Sequence, residues 1–309
     1  PIDHDAVIIH DPQPLPQIHL HDRRQPWIWR CHIDLSHPNI EFWDYLKNFV
    51  SDYDRMIISS EAYKKPDVNV QQSVFPPAID PLSDKNKQLS KTQIHHLLSK
   101  YQIPLDKPLL TQVSRFDPWK DPRGVLQVYK KVKTQIDARL VFCFNSADDD
   151  PEGAKVHRMM GEKAADDLAS GDVLFVRGDD PLLVNALQRK SSVIIQKSIR
   201  EGFGLTVTEA MWKGTPVVAS NIGGIPLQIK DGLSGFLVNP FDIKGAAERV
   251  IALITDTRLA RDIGRNARER VREHFLITRL LSDYIDLLLC VQKPESIPMV
   301  TKRTSMQAV

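Results

Sequence analysis

The sequence predicts an α/β protein with parallel sheets covered on both faces. Short apolar segments alternate with amphipathic segments of helical period along the 309 residues, as in repeated βα units. Glycine is unevenly distributed, since all 14 glycines lie between Gly124 and Gly264. The run Pro-Pro-Ala-Ile-Asp-Pro at 76–81 interrupts regular structure. These observations predict two lobes, each long enough to bury its own core.

The first lobe is expected to contain four short strands and a helix. The strands are predicted at Ala6–His10, Trp27–Ile33, Arg55–Ser59 and Val74–Phe75, and the helix at Glu41–Val50. A doubly wound nucleotide-binding domain usually carries a Gly-rich turn after its first strand, and this lobe has no glycine. Because the sequence also begins at Pro1, we expect an incomplete N-terminal lobe. A complete but small domain of another topology is the alternative.

The second lobe is expected to begin with a strand at Leu109–Ser114. Asp121 then supplies an N-cap and Pro122 the first position of a helix that runs to about Lys133. Further strands are predicted at Leu140–Phe144, Val173–Val176, Val193–Gln196, Pro216–Ala219 and Gly235–Val238. From Asp242 onward the pattern is helical, and the last helix carries an apolar face formed by Leu280, Tyr284, Leu287 and Leu288.

The predicted domains are therefore residues 1–100 and residues 101–275. Helix 276–292 is expected to pack back towards the first lobe. The polar segment 293–309 is expected to be a disordered tail.

Composition and charge favour a soluble cytoplasmic protein with a small ligand. Lys and Arg number 41 against 39 Asp and Glu, and the net charge of +2 gives no field typical of nucleic-acid or membrane binding. No apolar run reaches the roughly 18 residues that span a bilayer, and the first residues are not a signal peptide. Widely spaced Cys31, Cys143 and Cys290 suit a reducing compartment. A homodimer is one candidate assembly.

Two glutamates bracket a glycine-containing turn in the segment Glu201-Gly-Phe-Gly-Leu-Thr-Val-Thr-Glu209. Gly202 and Gly204 allow the backbone to approach a ligand closely. The amides near residues 205–206, at the start of the next helix, would point at an anion such as a diphosphate. Each glutamate can accept hydrogen bonds from sugar hydroxyls. The alternative is a capping box from Thr206 to Glu209, which would give Glu209 a purely structural role.

Two cations follow the strand at Leu109–Ser114. Arg115 ends this strand, and Lys120 precedes the helix that begins after Asp121. Ligands of open α/β sheets bind at the carboxyl ends of strands, so this pair is suited to hold a diphosphate. A solvated pair of surface cations is the alternative.

Histidines offer weaker signals. His32 lies near the end of a buried-looking strand, with Asp34 two residues later. A buried structural histidine is the more common outcome at such a position. His19, His21 and Asp22, and likewise the pair His95 and His96, are residue types that bind metal ions, but no further ligands are evident. No metal site is predicted.

Several of these segments resemble the retaining glycosyltransferases of the GT-B fold. The two-glutamate segment, the Arg115 and Lys120 pair, Gly223-Gly224 and Asp231-Gly232 match family motifs. The resemblance is sharper to the archaeal trehalose glycosyltransferring synthases, through four segments: His-Asp-Pro-Gln-Pro at 10–14, Trp-Arg-Cys-His-Ile-Asp-Leu-Ser at 29–36, Val-Ser-Arg-Phe-Asp-Pro-Trp-Lys at 113–120 and Ser-Ile-Arg-Glu-Gly-Phe-Gly at 198–204.

This resemblance implies two Rossmann-like lobes with a cleft between them. It also implies transfer of glucose from a nucleotide diphosphate glucose to glucose with retention of configuration, giving trehalose, without a metal or other cofactor. Arg115 and Lys120 would stabilise the leaving diphosphate, with help from the amides of Gly204, Leu205 and Thr206. Gly202 and Phe203 complete the donor-binding segment.

The remaining roles also follow from the resemblance. Glu209 would hold the donor ribose, Glu201 the transferred glucose, and His32 would contact the donor sugar from the other lobe. Asp34 is the acceptor-side candidate.

Two departures from the family pattern leave rival functions open. Leu227 stands where the family commonly has a glutamate, three residues after its double glycine, and Gln228 follows it. The opening βα units of the first lobe and their Gly-rich loop are also missing. A sucrose- or glucan-type transferase and a non-catalytic sugar-nucleotide binding fragment are therefore the rival predictions.

Overall fold

The computed structural model describes residues 3–145 and 151–292. The chain divides into two compact units. The first comprises the residues up to Phe75 together with those from Thr278 onward, and the second is Pro76–Ile277. The segment 293–309, predicted as a disordered tail, lies outside the described residues.

The first unit is built on a four-stranded parallel sheet in the order β1-β2-β3-β4. Its strands are β1 (Val7–His10), β2 (Trp27–Arg30), β3 (Arg55–Ile58) and β4 (Gln72–Val74), with short 3-10 turns at Leu15–His19 and Glu61–Tyr63. Helix α1 (Ile40–Val50) starts at Asn39, whose side chain accepts from the amides of Glu41 and Phe42. Such a cap satisfies amides that have no partner inside the helix.

Both faces of this sheet are covered, because alternate side chains of β2 point to opposite sides. Trp27 and Trp29 pack with Trp43 of α1 on one face. Ile28 and Ile57 pack on the other face with Leu287 of α11 (Ile277–Gln292), the last helix of the chain. β2 is shorter than the predicted Trp27–Ile33, because the His32 amide donates to the side chain of Asp11 and leaves the strand ladder.

The second unit is built on a six-stranded parallel sheet in the order β10-β9-β8-β5-β6-β7. Its strands are β5 (Leu109–Val113), β6 (Arg139–Phe144), β7 (Val173–Arg177), β8 (Val193–Gln196), β9 (Val217–Ser220) and β10 (Phe236–Val238). Its helices are α2 (Lys91–Lys100), α3 (Pro122–Lys133), α4 (Pro151–Lys163), α5 (Ala165–Ala169), α6 (Pro181–Lys190), α7 (Leu205–Trp212), α8 (Ile225–Gln228), α9 (Ile243–Thr255) and α10 (Thr257–His274).

This strand order is that of a doubly wound fold. The chain adds β6 and β7 on one side of β5 and then returns to add β8 on the other side, so the direction in which strands are added reverses between β5 and β8. Helices cover both faces: Val125 of α3 and Val250 of α9 belong to the core on one side, and Leu98 of α2 and Leu187 of α6 to the core on the other. In open α/β sheets, ligands bind outside the carboxyl ends of the two strands at such a reversal. The ends of β5 and β8 therefore mark the place to look for a site.

Residues 76–100 group with the second unit, whereas the sequence assigned them to the first lobe. Leu98 is fully buried among apolar side chains of α6 and the sheet. Ile79 forms an isolated bridge with Leu276, also in the second unit. The Pro-rich run therefore opens the second unit instead of extending the first.

None of the helices in the described ranges combines the length and apolarity needed to cross a bilayer. Within those same ranges, no three His, Cys, Asp or Glu side chains are grouped so that they could hold a metal ion.

Candidate active site

The turn after β5 carries Arg115 and Lys120. Asp117 organises this turn, since its carboxylate accepts from the Trp119 amide at 2.8 Å and from the Arg115 guanidinium at 3.2 Å. Arg115 has 57% of its side chain exposed and is available to an anion. The Lys120 carbonyl is held by the buried Gln112 side chain at 2.7 Å, which fixes the course of the main chain at this lysine.

The loop after β8 brings Glu201 to the same place. Lys120 Nζ donates to Glu201 Oε2 at 2.6 Å, although 81 residues separate them in sequence. The same oxygen accepts from Ser198 Oγ at 3.1 Å and from Gln196 Nε2 at 3.3 Å. Glu201 is only 8% exposed. Its carboxylate is thus held by three donors, one of them charged, at the reversal point of the sheet.

A second ion pair joins the same two segments of the chain. Lys197 is buried, and its Nζ contacts Asp121 Oδ2 at 2.9 Å and the Pro240 carbonyl. Asp121 also caps α3 through the Gly124 amide and adopts the left-handed conformation with a φ of 46°. The predicted helix start at Asp121 and Pro122 is confirmed. Asp121, which follows Lys120, and Lys197, which lies between β8 and Glu201, are therefore held together, which limits the relative movement of the two loops.

The start of α7 supplies backbone donors at this site. The helix is preceded by Gly204, at a φ of 82°, without a side-chain cap. The capping box from Thr206 to Glu209 is therefore wrong: α7 already begins at Leu205. In the described part of the chain, the amides of Gly204, Leu205 and Thr206 have no acceptor. The positive end of the helix and these free N–H groups together favour an anion.

Gly223 and Gly224 support the loop that contains Glu201. Gly223 has a φ of 57°, and a Cβ there would overlap the Glu201 carbonyl oxygen. The Gly224 amide donates to the Gly202 carbonyl at 3.0 Å. Only glycine permits this close approach of two main-chain segments.

The departure from the family pattern at Leu227 and Gln228 has a structural consequence. Gln228 is buried; its side chain accepts from Thr208 Oγ1 at 2.6 Å and donates to the Phe203 carbonyl. Leu227 packs against an apolar cluster. Gln228 therefore ties α8 to the loop and first turns of α7.

Glu209 occupies a different environment from Glu201. It is 7% exposed, and Lys85 Nζ lies 3.8 Å from its Oε1. Lys213 Nζ donates to the Glu209 carbonyl at 3.1 Å and to Asn86 Oδ1 at 2.9 Å. Burial lowers the pKa of Lys213 to about 7, against the opposing effect of Glu209.

In the first unit, His32 and Asp34 belong to the segment that follows β2. His32 Nε2 lies 2.8 Å from His10 Nδ1, and the two rings stack. Partial burial, and secondly the charge of Arg30, lower the pKa of His32. Asp34 Oδ1 accepts from the amide and the hydroxyl of Ser36 at 2.8 and 2.6 Å. His32 is thus an uncharged donor or acceptor at neutral pH, and Asp34 shapes a local turn.

Comparison with known proteins gives the family. Residues 94–270 match the family described as Glycosyl transferases group 1, and residues 2–65 match that described as Trehalose synthase, N-terminal domain. The first match covers more than half of the chain. The protein belongs to the group 1 glycosyltransferases.

Similar proteins agree with this family. A trehalose synthase of Thermococcus litoralis is 49% identical over 286 residues, which cover 92% of this glycosyltransferase and 69% of the relative. A trehalose synthase of Rubrobacter xylanophilus is 43% identical over 288 residues, covering 92% and 68%. The structure of Anabaena HepE in complex with UDP-glucose superposes with a TM-score of 0.80 at 18% identity, covering 92% of this chain and 78% of that one. This likeness identifies the fold as GT-B.

The sequence places Arg115, Lys120 and Glu201 at strand ends of one lobe, but it does not reveal the side chains that support them. The side chains of Lys120 and Glu201 form a hydrogen bond, and Arg115 lies on the same turn as Lys120. In the described part of the chain, the amides of residues 204–206 have no protein acceptor. The supporting residues Gln112, Gln196, Lys197 and Ser198 were missed, because a polar residue at the end of an apolar strand has no periodic signature. Lys197 was the one available signal, since a lysine directly after a buried strand needs a partner.

Proposed function

We propose that this protein is a retaining glucosyltransferase that moves glucose from a nucleotide diphosphate glucose to glucose and forms trehalose. The observation that carries the proposal is the contact of Lys120 with Glu201 at the reversal point of the sheet, next to the free amides of α7. The trehalose synthases similar to this chain support the choice of product.

In this proposal the donor diphosphate lies against the start of α7. The amides of residues 204–206 donate to its oxygens, and Arg115 and Lys120 add positive charge where negative charge develops on the leaving group. Binding of the diphosphate would draw Lys120 away from Glu201. The freed Glu201 carboxylate would then accept hydrogen bonds from hydroxyls of the transferred glucose. Glu209 would hold the ribose, and no metal ion is needed.

Transfer follows a front-side route. The bond between the anomeric carbon and the diphosphate oxygen breaks, and the acceptor hydroxyl oxygen forms its bond to the same face of that carbon. The acceptor proton passes to the departing diphosphate oxygen. His32 is proposed to contact the donor sugar, and Asp34 remains the acceptor-side candidate.

The test is an incubation of the protein with UDP-, ADP-, GDP- or dTDP-glucose and, in turn, glucose, fructose or a glucan. Trehalose and nucleoside diphosphate should form in equal amounts with glucose as acceptor. An α,α linkage in the product's NMR spectrum checks retention. Sucrose or an extended glucan as the main product would reject the trehalose assignment, and nucleotide binding without transfer would favour a non-catalytic binding protein.

The role of Glu201 has its own test. Glu201→Gln keeps the shape of the side chain but removes its charge, and should lower the transfer rate at least about 100-fold. Asp262→Gln serves as the control, because Asp262 is a carboxylate on α10 with 44% of its side chain exposed, paired with Arg265. Equal rates in the wild type and in Glu201→Gln would contradict the assigned role.

A further inference from the structure

A hollow of about 510 Å³ lies in the second unit between the end of α7 and the face of α10. Gly214 and Gly264 form its floor, where a Cβ on Gly264 would overlap the Gly214 carbonyl oxygen. The two main-chain segments therefore touch, and the longer side chains around them form the walls. Arg115, Lys120 and Glu201 do not line it. The hollow is separate from the candidate active site.

The walls of this hollow are cationic. Arg261, Arg265, Arg268 and Arg272 line it from one helix, together with Lys213 and a single carboxylate, Glu269. The four arginines follow the spacing i, i+4, i+7 and i+11, which places them on one face of α10. Four arginines and Lys213, which is only partly charged near its pKa of about 7, face one carboxylate and leave a local excess of positive charge in a protein whose net charge is only +2.

The arginines differ in how much of their charge is already compensated. Arg265 pairs with Asp262 at 2.9 Å, and Arg272 pairs with Glu269 at 2.7 Å. Within the described residues, Arg261 and Arg268 have no carboxylate partner. The Arg268 guanidinium lies 5.1 Å from the centre of the Trp212 ring, and this stacking holds the group in place. Two guanidinium groups are thus available to a ligand, one of them already ordered.

Further cations lie near those that line the hollow. The nearby charge of Arg268 contributes, after burial, to lowering the pKa of Arg189. Burial is the main cause of the lowered pKa of Lys213, and the charges of Arg189 and Lys85 lower it further against the opposing effect of Glu209. An anion in the hollow would reduce this mutual repulsion.

We propose that the hollow binds a small phosphate-bearing anion. A guanidinium presents parallel N–H donors that match the oxygens of a phosphate group. The volume is within the usual range for small-molecule sites. Asp262 and Glu269 lie among the arginines on α10, and Glu273 follows the last of them. These carboxylates would repel the remainder of a long polyanion, which favours a compact ligand over a nucleic acid or a membrane surface. This site does not depend on the proposed function.

The experiment is calorimetric titration at constant ionic strength with inorganic tripolyphosphate, inorganic phosphate or glucose 6-phosphate. The double variant Arg261→Ala and Arg268→Ala should weaken binding of the preferred probe at least 10-fold. Glu269→Gln should tighten it several-fold, since it removes the carboxylate and frees Arg272. The control is Arg258→Ala, at an exposed arginine of the same helix that does not line the hollow, and it should change affinity less than twofold.

Several results would overturn the proposal. One is the absence of binding by the wild type at millimolar concentrations of all three probes. Others are equal weakening by Arg258→Ala, which would indicate non-specific attraction, or tighter binding of an RNA oligonucleotide or anionic vesicles through the same arginines. Binding that Arg115→Ala removes and the double variant leaves intact would place the anion in the candidate active site. The relative affinities of the three probes show whether the site prefers a free phosphate, a phosphate chain or a phosphate ester.

Discussion

Arg115 and Arg177 show how position in the sheet decides the role of a single residue. Both arginines lie at the end of a strand, and both side chains are more than half exposed. Each pairs with an aspartate two residues later, Arg115 with Asp117 and Arg177 with Asp179. Arg115 follows β5, next to the reversal point, whereas Arg177 ends the edge strand β7. A single ligand can therefore contact Arg115 together with the free amides at the start of α7, but it cannot contact Arg177 together with them.

Arg115 and Arg177 should differ in their effect on donor binding. Arg115→Ala should weaken binding of the nucleotide diphosphate sugar about 10-fold or more, because a charge-assisted hydrogen bond to phosphate contributes roughly 1.5–3 kcal/mol. Arg177→Ala should leave affinity unchanged. Calorimetric titration of both variants with UDP-glucose, or with the donor that the wild type prefers, checks this. Equal affinities for the two variants would show that Arg115 does not contact the donor.

Lys213 carries a prediction about pH. Burial lowers its pKa from 10.5 to about 7 in the folded protein, so between about pH 7 and pH 10 the unfolded chain holds one proton more than the folded chain. The free energy of unfolding should therefore rise with pH in this window, by at most ~1.4 kcal/mol per pH unit from this group. The contribution is complete above the unfolded pKa and is lost as the pH falls to about 7.

Urea unfolding at several pH values tests this assignment. Lys213→Met should show a smaller rise in the free energy of unfolding between about pH 7 and pH 10 than the wild type. Lys131→Met, which removes an exposed lysine from α3, is the control and should keep the wild-type slope. If the free energy of unfolding of Lys213→Met and of the wild type rose in parallel with pH, the assignment of the pH dependence to Lys213 would be rejected.

At the scale of elements, the contact of two loops depends on a glycine. A Cβ on Gly223 would overlap the Glu201 carbonyl oxygen, whereas a Cβ on Gly232 would have nothing within 4 Å. Both glycines have positive φ values, 57° and 70°, so an alanine costs about 1–2 kcal/mol of backbone strain at either position. Only at Gly223 must the Glu201 loop also move.

Gly223→Ala should therefore lower transfer activity much more than Gly232→Ala, although both variants lose stability. The measurement is the transfer rate at saturating donor together with the thermal unfolding midpoint of each variant. If the two alanines reduced activity equally, the close contact of Gly223 with the Glu201 loop would have no part in the function.

The ion pair of Lys197 and Asp121 links the end of β8 to the start of α3. Lys197→Met leaves the Asp121 carboxylate, which is 21% exposed, without its cation and should cost about 3 kcal/mol. Adding Asp121→Asn should recover much of that loss, since an asparagine still caps α3 without a charge. Urea unfolding of the single and double variants measures the difference. A double variant as unstable as Lys197→Met would contradict this account.

Elements of this protein were more predictable from sequence than the contacts between them. Strand β8 and helix α3 were predicted at the observed residues, because a buried strand is a short apolar run and Asp-Pro marks a helix start. The helix start near Leu205 was also predicted, but the alternative of a capping box from Thr206 to Glu209 was wrong, because Gly204 precedes α7 without a side-chain cap. The contact of Lys120 with Glu201 follows from the order of strands in the sheet, which no local pattern encodes.

At the scale of the whole molecule, the C-terminal helix belongs to the first unit. Leu287 is 7% exposed and packs with Ile28 and Ile57, whereas Leu289, on the same helix, is 47% exposed. The first unit is thus assembled from two ends of the chain, while the second unit lies between them in sequence. Loss of the helix contact should affect the first sheet and not the second.

The two units should respond separately to a change in the C-terminal helix. Leu287→Ala removes a buried side chain and should cost about 2–3 kcal/mol, and the loss should be confined to the first unit, because cooperative units open separately. Hydrogen exchange read by mass spectrometry should therefore quicken in β2 and β3 and stay unchanged in β5 and β8. Leu289→Ala, the exposed control, should leave both sheets protected. Faster exchange in all four strands would instead mean that the two units unfold together, so that the C-terminal helix stabilises the whole molecule.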